Sequence, residues 1–293
     1  MDGVIVVDKP AGCSSHDVVN RVRRIAGTRR VGHLGTLDPL ATGVLPVVVG
    51  RATRLARFFT AAEKSYDAWF RFGFSTDSWD RDGQPTSDAV EPSFSRAEFE
   101  AALAPFRGTF QLQPPPVSAK KIGGTPAYKL VRRNQTPELD PVTVTVFELK
   151  LLDFDLPRAR IFIRCSAGTY VRGIAHELGL RFGCGAFVDA LRRTASGDFT
   201  EAEAHTLEKL AELSADGRLT EALIPGPRLL PHFPAELVDA LTAGQIRQGR
   251  DFRVSPFRVR PDTRYVKAIT QDGDLVAIGE ARLPHLYHPI LVL

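Results

Sequence analysis

The sequence predicts an α+β chain: a large mixed domain followed by a small, mostly-β domain. Three observations carry this reading. Strand-like and helix-like periodicities are interleaved along the first two thirds of the chain. SYDAWFRFGF (65–74) puts Tyr66, Ala68, Phe70, Phe72 and Phe74 on one face and Asp67, Trp69 and Arg71 on the other, the alternation of a half-buried strand. The 293 residues exceed one ordinary domain, and a polar, then proline-rich stretch at 214–234 marks a boundary, with domains expected at 1–230 and 231–293.

The elements follow in order. GVIVV (3–7) reads as a buried strand. Ser14 or Ser15 can N-cap a helix to about Ile25, with Val18, Val22 and Ile25 on one face and Gly27 as the stop. Residues 32–43 read as glycine-punctuated loop, 44–50 as a strand, 52–62 as a helix. STDSWDRDGQP (75–85) is acidic and turn-rich; its aspartates lack the glycine and glutamate spacing of a calcium loop, so a solvated turn is expected. Ser95 with Glu98 forms a capping box opening a helix to about Leu103. Residues 113–124 break regular structure, 126–133 form a short basic helix, and 142–156 and 160–166 are long strands. Val171, Ile174, Ala175 and Leu178 make 170–183 a helix, and 187–193 continues that character. Beyond the boundary a helix over about 235–243 precedes strands, including a hairpin over 266–281 turning at Asp272-Gly273.

Composition excludes several classes. No apolar run reaches about 18 residues, so no membrane span is expected. The start, MDGVIVVDKP, lacks a signal peptide's features, and Cys13, Cys165 and Cys184 stand far apart without CxxC spacing. Idle thiols in a reducing cytoplasm are expected. The histidines are scattered, no phosphate-binding glycine motif follows a strand, and no GxSxG elbow occurs, so neither metal nor nucleotide cofactor is expected. The net charge is +4, and its distribution says more. Between Val18 and Ala62 stand eight arginines (21, 23, 24, 29, 30, 51, 54 and 57) and one acid, Asp38. Such a surplus points to a polyanionic partner, nucleic acid above all.

That one acid lies in GHLGTLDPLATGVLPV (32–47), with no second carboxylate nearby. An ionised aspartate beside an arginine can act as a nucleophile, and the small residues around it admit a flat ligand. Asp38-Pro39 can equally be the start of a turn. Tyr66 supplies either a stacking ring or a core aromatic; His33 either a ligand contact or a local hydrogen bond; Arg172 either a carboxylate partner or surface charge.

The stretch 32–47 closely resembles the catalytic motif of the TruB-type tRNA pseudouridine synthases. VDKPAGCSSHDVV (7–19), EKSYDAWFRFGFSTDSWDRDG (63–83), PPPVSAKKIGGTPAYKLVRR (114–133), CSAGTYVRGIAHELG (165–179) and GCGAFVDALRRTASGDF (183–199) resemble further blocks of that family in the same order. The resemblance covers about residues 3–200; the C-terminal part resembles a PUA-type RNA-binding domain more loosely. It implies a pseudouridine synthase catalytic domain with a central mixed, mainly antiparallel sheet flanked by helices, and an RNA-contacting insertion at about 110–140. It further implies isomerisation of uridine to pseudouridine in the T loop of tRNA, at position 55, without a cofactor. By family analogy Asp38 is the catalytic nucleophile, Tyr66 stacks on the flipped uracil, and Arg172 pairs with Asp38. Tyr170 and Leu191 line the pocket, His33 contacts RNA where the base has left, and Lys9 supports the active-site floor or the RNA. Asp80 matches a family acid after the tyrosine strand. Thr194 is polar where relatives continue apolar, and Trp79 adds bulk to the acidic loop.

Isomerisation breaks N1–C1′ and forms C5–C1′. A lone carboxylate can attack the sugar, add to the ring or remove a sugar proton to give a glycal, and the sequence leaves all three open. It also leaves open a non-catalytic RNA-binding or RNA-folding module, or a synthase acting on another RNA stem-loop. In the C-terminal part, 226–267 holds eight basic residues and four acids, suited to docking on an acceptor stem. A stabilising role against the first domain is the alternative. Monomer is the default expectation.

Overall fold

The computed structural model describes residues 1–118, 120–127, 130 and 139–293. The strands of the first part are β1 (Gly3–Lys9), β2 (Val31–His33), β3 (Thr42–Val49), β4 (Lys64–Phe72), β5 (Gly108–Leu112), the short hairpin β6 (Lys121–Ile122) and β7 (Thr125–Pro126), β8 (Val142–Asp155), β9 (Arg158–Cys165), β10 (Ala186–Ser196), β11 (Phe199–Thr200), β12 (Ala204–His205) and β13 (Leu223–Pro225). Its helices are α1 (Ser15–Ile25), α2 (Arg96–Ala102), α3 (Val171–Arg181) and α4 (Leu207–Ala215).

Among the described residues one sheet runs β12-β1-β3-β10-β4-β9-β8-β5, with β2, β11 and β13 attached at its margins. Only the β1–β12 and β3–β10 pairs are parallel, so the sheet is mixed and mainly antiparallel, as expected. The alternation in β4 is real: Tyr66, Ala68, Phe70 and Phe72 are buried on one core face with Ile161, Ile163, Ile174 and Leu178. Ser14 caps α1 and Ser95 caps α2, each through a reciprocal capping box.

Residues 187–193 are not helical. They form the middle of β10, inserted between β3 and β4. Gly183 and Gly185, both at positive φ, end the α3 region and redirect the chain. Two flanking strands then satisfy the backbone of β10, and this ladder outweighs the local spacing. The 52–62 segment is a 3₁₀ helix over Gly50–Phe58. Val31–His33 pairs with β3 where loop was expected. The acidic loop is solvated only in part: Asp77, Arg81, Asp82 and Gln84 are exposed as expected, but Thr76 and Asp80 are buried, and Asp80 bridges to Val188 of β10. The basic helix expected over 126–133 falls largely outside the described residues.

The last part forms a second sheet, β14-β16-β17-β18-β15, from β14 (Ala235–Val238), β15 (Phe252–Arg253), β16 (Tyr265–Thr270), β17 (Leu275–Leu283) and β18 (Leu286–Val292), with α5 (Ala240–Arg247) against it. The helix expected over 235–243 starts later, because Asp239 is its N-cap and the residues before it pair with β16. The hairpin at Asp272-Gly273 forms as expected. The stretch 214–234 is no free linker, since β13 within it pairs with β1. The two sheets also share apolar packing: Val4, Val44, Val48 and Leu55 lie in one buried cluster with Ile269, Leu275, Ile278 and Leu291. Arg54 and Arg57 donate to the carbonyls of Val292 and Ile290.

A candidate active site around Asp38

The site begins with how the 34–41 loop is held. Ser15, at the start of α1, donates to the Leu37 carbonyl at 3.0 Å and accepts from the Leu37 amide at 2.8 Å. The Asp38 carbonyl closes a turn by accepting from the Ala41 amide at 3.1 Å. Turn formation thus uses the backbone of Asp38 and leaves its side chain free, so the two readings of Asp38-Pro39 are compatible.

Two fully buried cations clamp this loop from opposite ends. The Lys9 ammonium, at the end of β1, donates to the carbonyls of Pro39 at 3.2 Å and Ala41 at 2.6 Å, and also to Pro10 at 2.9 Å. The Arg193 guanidinium, on β10, donates to Val44 at 2.7 Å and Gly35 at 3.1 Å. Carbonyl oxygens with fixed donors cannot swing, so the loop is preorganised. Gly43 is required where β3 passes β10: at φ +96° a Cβ there would lie 2.2 Å from the Arg193 carbonyl oxygen. Burial holds the pKa of Lys9 below the ordinary lysine range. Lys9 has no exposed surface, and its ammonium is held among the carbonyls of Pro10, Pro39 and Ala41.

Asp38 emerges into a cavity of about 270 Å³ lined also by Lys64, Tyr66, Tyr170, Arg172, Leu191 and Arg193. That is just below the range of about 300–1,000 Å³ common for small-molecule sites, room for one nucleoside but not for a duplex. Arg172, in the first turn of α3, places Nε 3.0 Å from the Asp38 carboxylate. Its Nη1 donates to the Ser78 carbonyl at 2.8 Å and lies 3.3 Å from Asp80, and its Nη2 donates to the Val117 carbonyl at 2.9 Å. The guanidinium is buried and each of its three nitrogens has a partner, so its direction is fixed. The Asp38 side chain keeps 33% of its surface exposed, facing the cavity. Tyr66 is nearly buried on β4, directly across from Arg193 on β10, and burial pushes its phenol pKa up, so its ring is neutral. Leu191, also on β10, adds an apolar wall.

Five of the seven residues named from sequence, Asp38, Tyr66, Tyr170, Arg172 and Leu191, therefore converge on one cavity. Lys9 lies beneath it. His33, at the end of β2, is half-buried outside the lining, and burial followed by the nearby Arg193 lowers its pKa. Sequence reasoning missed the cavity roles of Lys64 and Arg193. Lys64 stands two residues before Tyr66 on an alternating strand, so its position on the same face was readable. Asp80 was noted only as a family acid. It is buried, receives the Ser78 hydroxyl at 2.6 Å, and shares Arg172 with Asp38. Burial pushes the Asp80 pKa up, against the Ser78 hydrogen bond and Arg172. Among the described residues no group of three or more His, Cys, Asp or Glu converges to hold a metal ion. The Cys165 thiol is pushed up to about 11 by burial, which makes it inert.

The arginine-rich belt divides in two. Arg23 donates to the Val31 carbonyl, Arg51 pairs with Asp2 at 2.9 Å, and Arg54 and Arg57 dock the C-terminal sheet. Arg21, Arg24, Arg29 and Arg30 stand exposed. No helix among the described residues is long and apolar enough to cross a membrane.

Comparison with known proteins identifies the family. Residues 23–171 match the TruB family pseudouridylate synthase N-terminal domain, and residues 172–230 match the tRNA pseudouridylate synthase B C-terminal domain. The chain is 57% identical over 293 residues, covering 100% of both chains, to the tRNA pseudouridine synthase B of Solibacter usitatus. It is 37% identical over 283 residues to that of Pseudomonas aeruginosa, covering 96% of this chain and 92% of that one. Among solved structures, a Cbf5-Nop10-Gar1 complex contains a chain similar at TM-score 0.72 and 27% identity, with 97% of this chain and 79% of that one covered. The chain belongs to the TruB family of pseudouridylate synthases and is an isomerase that converts uridine to pseudouridine.

Proposed function

We propose that the chain converts the uridine at position 55 in the T loop of tRNA to pseudouridine, with Asp38 as the nucleophile. The observation that carries this is the Asp38 carboxylate, paired to a buried Arg172 at 3.0 Å and opening into a nucleoside-sized cavity walled by Tyr66 and Leu191. A loop uridine must leave its stack to reach that carboxylate. Extraction costs a few kcal/mol, regained by stacking on a ring such as Tyr66 and by hydrogen bonds to the base edge. In the cavity the N1–C1′ bond breaks, the uracil turns, and C5 bonds to C1′. The C5 proton leaves and N1 ends with a proton, so the balance closes without redox chemistry. Arg172 keeps the Asp38 carboxylate aimed into the cavity, and Tyr170 closes the cavity beside it. His33 sits outside the lining, where it meets the loop the base has left.

The exposed Arg21, Arg24, Arg29 and Arg30 supply the phosphate contacts that position a folded RNA. Residues 1–230 act as the catalytic domain with an RNA-contacting insertion at about 110–140, and 231–293 as a PUA-like RNA-binding domain. The test uses unmodified tRNA carrying tritium at uracil C5. Wild-type protein releases tritium, whereas Asp38→Asn binds the same tRNA and releases none. Release by Asp38→Asn at the normal rate overturns the proposal, and binding by the wild type without release identifies a non-catalytic RNA-binding module. T-loop hairpins compared with other stem-loops test the substrate.

A further inference from the structure

Trp79 has an uncommon backbone conformation for a bulky residue, φ +63°. It lies between two of the residues that hold Arg172: the Ser78 carbonyl and the Asp80 carboxylate both meet Nη1 of that guanidinium. The Trp79 carbonyl accepts from the Val188 amide of β10 at 3.1 Å, and the Arg81 amide donates back to the Val188 carbonyl at 3.0 Å. A left-handed residue between them lets Ser78 and Asp80 face one guanidinium while the chain stays hydrogen-bonded to β10.

The Trp79 ring is stacked on His176, with centroids 4.0 Å apart and planes 6° from parallel. His176 is four residues after Arg172 on α3, one helical turn along the same face. The His176 Nδ1 is buried, with no hydrogen-bond partner among the described residues. A half-buried imidazole stacked face to face on the indole serves as a flat platform. Uncommon backbone conformations persist where the surroundings over-determine them, and they cluster at functional sites.

We propose that Trp79 is a positioning residue for the isomerisation: its ring, locked on His176, holds the left-handed turn that keeps Arg172 directed at Asp38. This rests on the reading of Asp38 as the reacting carboxylate. Trp79 does not line the cavity, so its loss acts on the rate constant rather than on RNA affinity.

The experiment separates ring from backbone. Trp79→Gly relieves the φ requirement while deleting the ring, Trp79→Phe keeps a stacking ring, and His176→Ala and His176→Phe repeat the comparison from the platform side. Tritium release from a T-loop hairpin is measured for kcat and KM. Trp79→Gly and His176→Ala are expected to lower kcat about tenfold or more with KM within about twofold, and the two Phe variants to stay within about threefold of wild type. Wild-type kcat in Trp79→Gly, or a loss carried by KM, overturns the proposal. If Trp79→Gly fails to fold, the His176→Ala and His176→Phe pair decides by the same criterion. Asp38→Asn is run alongside: activity there sinks the reading of Asp38 itself, whereas an inactive Asp38→Asn beside a fully active Trp79→Gly sinks only the role of Trp79.

Discussion

Replacing Arg172 by methionine removes the cation that two carboxylates share. The side chain is 4% exposed and the Asp80 side chain 8%, so that pair is buried, while Asp38 is partly open to the cavity. Leaving one partner of a buried ion pair uncompensated costs about 3–5 kcal/mol. The Asp38 partner adds little, because water entering the cavity solvates it. Methionine fills a similar volume, which keeps the packing loss small. Arg172→Met is therefore expected to lose about 3–5 kcal/mol in urea unfolding near neutral pH and to lower turnover by at least about tenfold. The sign of the pH dependence follows from Asp80. Its native pKa lies above the usual 3.8, chiefly through burial, so proton binding favours the folded state and stability falls as pH rises through the window above that value. Removing Arg172 takes away a cation that lowers this pKa, so the window extends upward. The destabilisation should then be smaller at about pH 5 than at about pH 7.5. Adding Asp80→Asn to Arg172→Met should recover about 1–3 kcal/mol, a coupling that urea titrations of the two single variants and the double variant would measure. A loss under about 1 kcal/mol at neutral pH, the value of an exposed pair, would refute the reasoning.

Tyr66→Ala removes a stacking ring worth about 1–3 kcal/mol, so turnover on tRNA should fall about 5- to 150-fold while filter-binding affinity changes little. Lys9→Met strands three carbonyls, those of Pro10, Pro39 and Ala41. Thermal and urea unfolding should show a loss of at least about 2 kcal/mol, with activity on hairpins falling alongside. Replacing Arg29 and Arg30 by alanine should make the log-affinity versus log-salt slope for tRNA shallower by about 1–2, and an unchanged slope would place the phosphate contacts elsewhere. From sequence, deletion of 232–293 is expected to spare hairpin activity. The apolar packing shared by Val44, Val48 and Leu55 with Ile278 and Leu291 instead predicts an aggregation-prone product, detectable by size-exclusion chromatography.

The sequence by itself determined the local features. The alternation of 65–74, the capping boxes at Ser14 and Ser95 and the turn at Asp272-Gly273 are written in neighbouring residues, where side-chain period and backbone hydrogen bonding act within a few positions. Asp38 stands out as the one acid among eight arginines, a composition fact that needs no fold, and its proposed role comes from the family resemblance of the stretch around it. The tertiary structure alone decided what depended on partners distant in the chain. Residues 187–193 carry helical spacing, yet strands from positions 42–49 and 64–72 close around them and make them a strand. The acidic loop looks solvated until Arg172, ninety-four residues after Ser78, draws Ser78 and Asp80 inward. Lys9 and Arg193 belong to residue types mostly found at the surface; they are buried because they meet the loop carbonyls around Asp38. A buried charge is tolerated only where donors and acceptors from several segments coincide, and that coincidence exists only in the folded chain.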